Sequence, residues 1–501
     1  MARSIILLVT ALYAAALAAQ PSPRTTVPRL WTANALAGWA LPIAGVKATP
    51  IFYREDEYYA APVDEVLTYP FYVKSREPAG YRESLRQQGP RPLIDPSTLT
   101  TEADWLAAGR AVFDGMHLKE FRTASPAALA WADDPDLAAH QQVSVGRDGI
   151  VPGVRWLVDH DGVLKLTLTE CSGCHNRLLP DGTVARGAQA NLNLGSLPQA
   201  CFDEDAAASR LAGRTLALNE SAYEAYGVPW LKNDINARLK TMTKEEIEKV
   251  DGPPFPGTFV RFNASPWMTT KIVDLIGVKD RKYLDATATH RNRGPEDIAR
   301  YGILVTTADD GSIGPHRVMA ENRRKLRWRN SDEAMLALGK YIYSLEPPRN
   351  PNPRNELTAR GDQLFARSGC ANCHTPPLYT NNKLVAVDGF EPFDHPNAPP
   401  AADVMAVKLA LDPGLALRTR KGTGYYKVPS LRGVWYRGPL EHSGSMATLE
   451  DWFDPNRLRD DYVPTGWNPP GVKTRAVPGH PFGLNLPTDD KRALIAFLRT
   501  L

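Results

Sequence analysis

One five-residue frame occurs twice in this chain, as Cys171-Ser172-Gly173-Cys174-His175 and as Cys370-Ala371-Asn372-Cys373-His374. In C-x-x-C-H, residues three apart share one face of a helical turn, so both sulfurs can meet the two vinyl groups of one haem. The adjacent His then rises to the iron as its proximal ligand. A thioredoxin-like thiol pair or half of a zinc site needs no His at that position, and neither accounts for two copies. The expected cofactors are two covalently bound c-type haems, attached through Cys171, Cys174, Cys370 and Cys373, with His175 and His374 on the irons. The fifth cysteine, Cys201 in PQACFDED, is expected to be a small buried hydrophobe.

Composition narrows the rest. A formal net charge of +3 is too weak and too dispersed for a phosphate-backbone partner, so no nucleic-acid binding is expected. The 43 Pro and 37 Gly point to short elements joined by long ordered loops. The opening MARSIILLVTALYAAALAAQ has an early Arg, an apolar run from Ile5 to Leu17 and the small triplet Ala16-Leu17-Ala18, the pattern of a secretory signal peptide. Cleavage is expected after Ala18 or Ala19, leaving a periplasmic or secreted protein with no stable membrane anchor, since no later segment approaches the length of a span.

The chain also resembles itself. LTARGDQLFARSGCANCH carries Leu364 and Phe365 into the second motif, and its partner in the first half is WLAAGRAVFDG from Trp105, with Val112 and Phe113. Between that helix and the first motif, GRDGIVPG and VDHDGVLKLTLTE place Asp-Gly turns around a period-two run, predicting a small β excursion. IVDLIGVKDRKYLDATAT from Ile272 matches VPSLRGVWYRGPLEHSGS from Val428 without a gap, pairing Leu275 with Leu431, Gly277 with Gly433, Val278 with Val434 and Arg281 with Arg437. Each copy closes with an amphipathic helix, for which Ser331 and Thr488 are the expected N-caps. The expected fold is mainly α: two cytochrome c-like haem domains with long loops. Its boundaries are a signal peptide at 1–18, an N-terminal wrap at 19–102, a first haem domain at 103–345, a linker at 346–355 and a second haem domain at 356–501.

The two C-x-x-C-H sites, KVPSLRGVWYRGPLEHSGSMATLEDW and the terminal GHPFGLNL and ALIAFLRTL segments together resemble the bacterial di-haem cytochrome c peroxidase superfamily. That superfamily includes di-haem protein-modifying enzymes and the di-haem rubber oxygenases. The resemblance runs from residue 103 to 501 and is strongest in the second half. It implies two mostly helical haem domains facing each other, the N-terminal haem reacting with peroxide or oxygen and the C-terminal haem relaying electrons.

Ligand supply divides the two irons, because a relay haem fills both axial positions whereas a reactive haem needs an open face. After His175 the next His is His290, 114 residues without one, and only Met242 and Met268 fall between as further ligands. Both are expected to be packing residues, so the first haem is expected to be open or water-bound. The second haem lacks the Met that family peroxidases place after the EHSGSMATLEDW segment. His480 in PGHPFGL looks like the ligand position of the rubber oxygenase branch and is the expected distal ligand, ahead of Met446 and Met405. His442 occupies the family's His-x-Gly turn and is expected to hydrogen-bond near a haem edge. His290 and His316 are expected on surface or loop positions, and His117, His140, His160 and His395 carry no spacing signal.

Peroxide cleavage needs a group that moves a proton between the two oxygens. Family peroxidases supply a Glu beyond the YLDATAT-equivalent segment; here that stretch offers Glu296, Asp297, Asp309 and Asp310. The duplication makes Glu296 and Asp297 helix-start residues, leaving Asp309 and Asp310 as the candidate catalytic acids. Tyr283 and Trp435 are the candidate aromatics between the haems. Arg437 sits where an oxygen ligand to the family's calcium is expected, which leaves calcium unsupported.

The expected function is that of an exported peroxidase-like di-haem oxidoreductase acting on hydrogen peroxide, with a small redox protein or other electron donor as partner. A dioxygen-using oxygenase or protein-modifying enzyme is the first alternative, and an electron-transfer cytochrome the second.

Overall fold

The computed structural model describes residues 27–193, 197, 218–250, 255–260, 264–307, 312–318 and 326–501. The signal-peptide region, Cys201, Asp309 and Asp310 lie outside the described residues. The elements that position the two motifs are, in chain order, β1 (Thr68–Tyr72), α1 (Glu102–Gly115), β2 (Ile150–Val158), β3 (Leu164–Leu168), α2 (Pro295–Thr307), α3 (Asp332–Ser344), α4 (Glu356–Arg367) and α5 (Thr488–Leu498). The expectation of a mainly α chain is corrected. Helices and short strands are mixed, with six small sheets among the described residues, because many Pro and Gly cut the chain into segments too short for long helices.

The β excursion is present and larger than its sequence suggests. β2 and β3 pair antiparallel across a turn in which Gly162 takes a φ of 77°, and Gly162 N donates to Asp159 O. A third strand, β1, joins on the free edge of β2 from the Pro- and Tyr-rich segment expected to be a wrap. The face built from Phe71, Trp156 and Leu166 packs against Trp131 and Leu137, so the N-terminal segment closes a core of its own.

The duplication is visible in the packing of the helices. α1 lies against α3, and α4 against α5. At each crossing a glycine admits the partner's backbone. A Cβ on Gly109 would stand 2.0 Å from Ala337 O, and one on Gly361 would stand 2.0 Å from Ala493 O. Beside these contacts Phe113 meets Tyr341 at 5.6 Å and Phe365 meets Phe497 at 5.4 Å, both tilted. The matched loops repeat too: Leu284 pairs with His290 in the first half, as Leu440 pairs with Met446 in the second.

The helix ends follow local chemistry with one correction. Ser331 caps α3 by accepting from Ala334 N, and its own hydroxyl reaches the Glu65 carboxylate. Thr488 is not the cap of α5; Pro487 holds that position without a side-chain hydrogen bond, and Thr488 is the first helical residue. Glu296 and Asp297 lie in the first turn of α2, where Asp297 accepts from Arg293 and Arg300 and is fully engaged as an end-of-helix carboxylate.

Candidate haem-attachment sites

The first motif follows β3 directly. Cys171–Cys174 form a single helical turn held by His175 N donating to Cys171 O at 2.8 Å. Ser172 Oγ bonds Thr169 Oγ1 at 2.7 Å and ties the turn to the strand end. The motif's backbone is gripped from downstream: Gly187 N donates to His175 O and Ala190 N to Cys174 O.

The second motif enters from α4 through Gly369, whose φ of 77° reverses the chain into the Cys370–Asn372 turn. Asn381 N donates to Cys373 O at 2.8 Å, the counterpart of the Ala190 contact. None of the four motif cysteines is bridged. Each pair of sulfurs therefore sits on one short turn next to its His, the arrangement that thioether attachment to one porphyrin requires.

His374 is buried, and its Nδ1 lies 3.2 Å from Tyr379 O and 3.1 Å from Pro429 O. A carbonyl only accepts, so Nδ1 carries the proton and Nε2 presents a lone pair. Burial lowers the His374 pKa, which keeps the imidazole neutral and ligand-competent. His480 faces it: the ring centres are 6.3 Å apart with the planes at 56°. Two imidazoles bound to opposite sides of one metal, each nitrogen about 2 Å away, put their ring centres about 6 Å apart. Burial first, and His374 second, bring the His480 pKa down to about 3, and its buried Nδ1 has no partner among the described residues. Trp452 and Phe482 flank the ring edge-on at 5.1 and 5.4 Å. The residues present therefore fit a haem iron between His374 and His480.

The other ligand candidates are placed elsewhere. Met446 is fully buried in the core of the second half. Met405 Sδ lies 3.9 Å from Cys373 Sγ, beside the attachment sulfur. Met242 packs with Leu239 and Trp267, and Met268 N closes a turn onto Ser265 O.

His290 corrects an expectation: it is buried, 4.2 Å from the Trp39 ring and 5.4 Å from Tyr301, at the position that Met446 fills in the other half. Packing by the N-terminal segment, which supplies Trp39 and Phe52, converts a loop His into a core one. His316 is half-buried on a two-residue strand against Trp230. His442 pairs with Glu441 and stacks on Tyr426 at 4.2 Å. Burial pushes the Glu441 carboxyl up, but His442 and Ser443 outweigh it and hold the pKa at about 2. Tyr283 is buried and donates to Asp403 at 2.9 Å, and Trp435 meets Tyr436 edge-on at 5.1 Å. Arg437 Nε pairs with Asp274 at 2.7 Å.

One group escapes notice in the sequence. Arg457 is 1% exposed and donates to Trp452 O, Val477 O, Gly479 O and His480 O, a single buried guanidinium that fastens the loop presenting His480.

No family model matches the chain. Over 120 residues it is 31% identical to a cytochrome c551 peroxidase of Nitrosomonas europaea, covering 24% of this chain and 32% of that protein. Over 202 residues it is 26% identical to a cytochrome-c peroxidase of Pseudomonas sp. (strain SCT), covering 35% of this chain and 51% of that protein. The chain thus spans a third to a half of the length of these curated relatives. Among solved structures it overlaps a MauG-like protein associated with microbial copper homeostasis at 17% identity and a TM-score of 0.28, covering 46% of this chain and 73% of that one. The superfamily resemblance drawn from the motifs is therefore matched by curated relatives that are cytochrome c peroxidases.

Proposed function

We propose that the chain is an exported di-haem c-type oxidoreductase of the peroxidase type. The first haem, held by Cys171, Cys174 and His175, would react with hydrogen peroxide, and the second, held by Cys370, Cys373 and His374, would relay electrons from a small redox protein. The observation that carries this reading is the asymmetry in the supply of candidate axial ligands. His480 stands opposite His374, whereas no histidine lies between His175 and His290, and His290 is enclosed by aromatic rings. Export is supported by the opening segment, and the cytochrome c peroxidase relatives favour peroxide as oxidant. Among the described residues no helix is long and apolar enough to cross a membrane.

When bound, the haems supply the one-electron chemistry. The chain's own contribution is positional. Carbonyls of Tyr379 and Pro429 hold the His374 proton on Nδ1, and Asp309 and Asp310 are the candidate carboxylates for moving a proton at the first haem.

Intact mass and haem staining of the purified protein are expected to show two covalent haems, and Cys373→Ala should impair attachment at the second site alone. In the resting ferric protein, electron paramagnetic resonance should show one high-spin and one low-spin iron; two low-spin irons would favour a simple electron carrier. Peroxide added with reduced cytochrome c should be turned over, with Asp309→Asn or Asp310→Asn slowing it by about 100-fold or more. Absence of peroxide turnover, together with a stable dioxygen complex at the first haem, would establish the oxygenase alternative instead.

A further inference from the structure

A cavity between the two motifs is lined by Lys271, Arg281, Lys427 and Arg437, with Asp274 as its one carboxylate among the described residues. These four cations are two copies of one pair: in the ungapped register of the duplication, Lys271 falls on Lys427 and Arg281 on Arg437. Equivalent residues of two halves thus converge on one space.

The cavity also borders both attachment sites through the same kind of contact. Gln189 lines it and precedes Ala190, whose N–H holds Cys174 O; Asn382 lines it and follows Asn381, whose N–H holds Cys373 O. Pro429, also on the wall, gives its carbonyl to His374 Nδ1.

The internal partners do not balance the charge. Asp274 is taken up by Arg437 Nε at 2.7 Å and by Tyr436 at 2.8 Å. Arg281 spends its guanidinium on the carbonyls of Asp274 and Ile276, and among the described residues Lys427 Nζ hydrogen-bonds a carbonyl, that of Tyr283, at 3.3 Å. Burial, followed by the neighbouring arginines, outweighs the opposing pull of Asp285 on Lys427 and of Glu441 and Asp274 on Lys271, and pushes Lys427 down to about 7 and Lys271 down to about 8. Four cations set against a single lining carboxylate are costly to bury, and an anionic occupant lowers that cost.

We propose that this cavity seats carboxylates of both haems, so that the duplicated Lys–Arg pairs form one shared anion-binding bridge between the two iron sites. The proposal rests on the di-haem reading above. Each haem carries two propionates, and planar Arg and flexible Lys donors suit carboxylate oxygens. A positive charge at this position favours the reduced state of an adjacent haem, and a cluster shared by two haems acts on both.

The test uses the full-length holoprotein. Haem staining of every variant first confirms that two haems are attached, which separates failure of the di-haem reading from failure of this one. Redox titration of Lys271→Met and Lys427→Met, each singly, is expected to lower the midpoint potentials of both haems, while Lys427→Arg leaves them near the parent values. A shift confined to one haem, or none, would overturn the proposal. A free anion is the other source of the same chemistry: a saturable change of potential on titrating the unsubstituted holoprotein with inorganic phosphate, abolished in Lys427→Met, would assign the cavity to that anion instead. Should the Met variants fail to fold, redox-difference infrared spectra of the unsubstituted holoprotein decide. Ionised-carboxylate bands responding to reduction of either haem support the bridge, and protonated carboxyl bands refute it.

Discussion

On the proposed ligation, His480→Ala is expected to convert the second haem from low-spin to high-spin and to open it to exogenous imidazole, while the first haem is unchanged. The expectation follows from distance and protonation. The two imidazoles stand 6.3 Å apart, and burial keeps His480 neutral with a pKa of about 3, so its lone pair is available to a metal at ordinary pH. Added imidazole should restore the low-spin signal in the variant. Arg457→Leu tests the support for that ligand. It removes the donors to the carbonyls of Val477, Gly479 and His480 without touching the imidazole, and is expected to give a mixture of spin states. An unchanged spectrum in His480→Ala would move the sixth ligand to Met405 or Met446.

Gly361→Ala is expected to destabilise the second half by at least about 2 kcal/mol, although alanine is intrinsically the better helix former by about 1 kcal/mol. The added Cβ would stand 2.0 Å from Ala493 O and 2.6 Å from Phe497 Cβ, and a backbone carbonyl in a helix cannot swing aside. α4 and α5 must therefore separate, opening the contact between Phe365 and Phe497. Thermal unfolding followed by circular dichroism should show a clear fall in Tm; an equal or higher Tm would mean that the helices yield more easily than their packing indicates. Gly109→Ala should act in the same way in the first half, against Ala337 O.

Local chemistry was legible in the residues themselves. The Asp-Gly turns and the alternation around Leu164–Leu168 specified the hairpin, because a period of two and a residue tolerant of positive φ are short-range requirements. The acidic first turn of α2 and the Ser331 cap were likewise readable, each being set by residues within one turn. Thr488 lies one residue past the true cap, because a Thr followed by two Asp fits an N-cap and a first helical position almost equally well.

The motifs and the duplication register belong to the sequence alone: which cysteines pair with which histidine, and which residue of one half answers to which of the other. The match from Ile272 pairs Arg281 with Arg437, and the equivalent lysines, Lys271 and Lys427, lie one position before it. Tertiary structure decided what those residues face. The meeting of His480 with His374, the closing of β1 onto the hairpin, the burial of His290 by Trp39 and the convergence of four cations on one cavity all join segments far apart in the chain. Spacing in sequence carries helical and strand periods, which are local. Facing pairs are set by how whole elements pack, and that is decided by the cores they bury together.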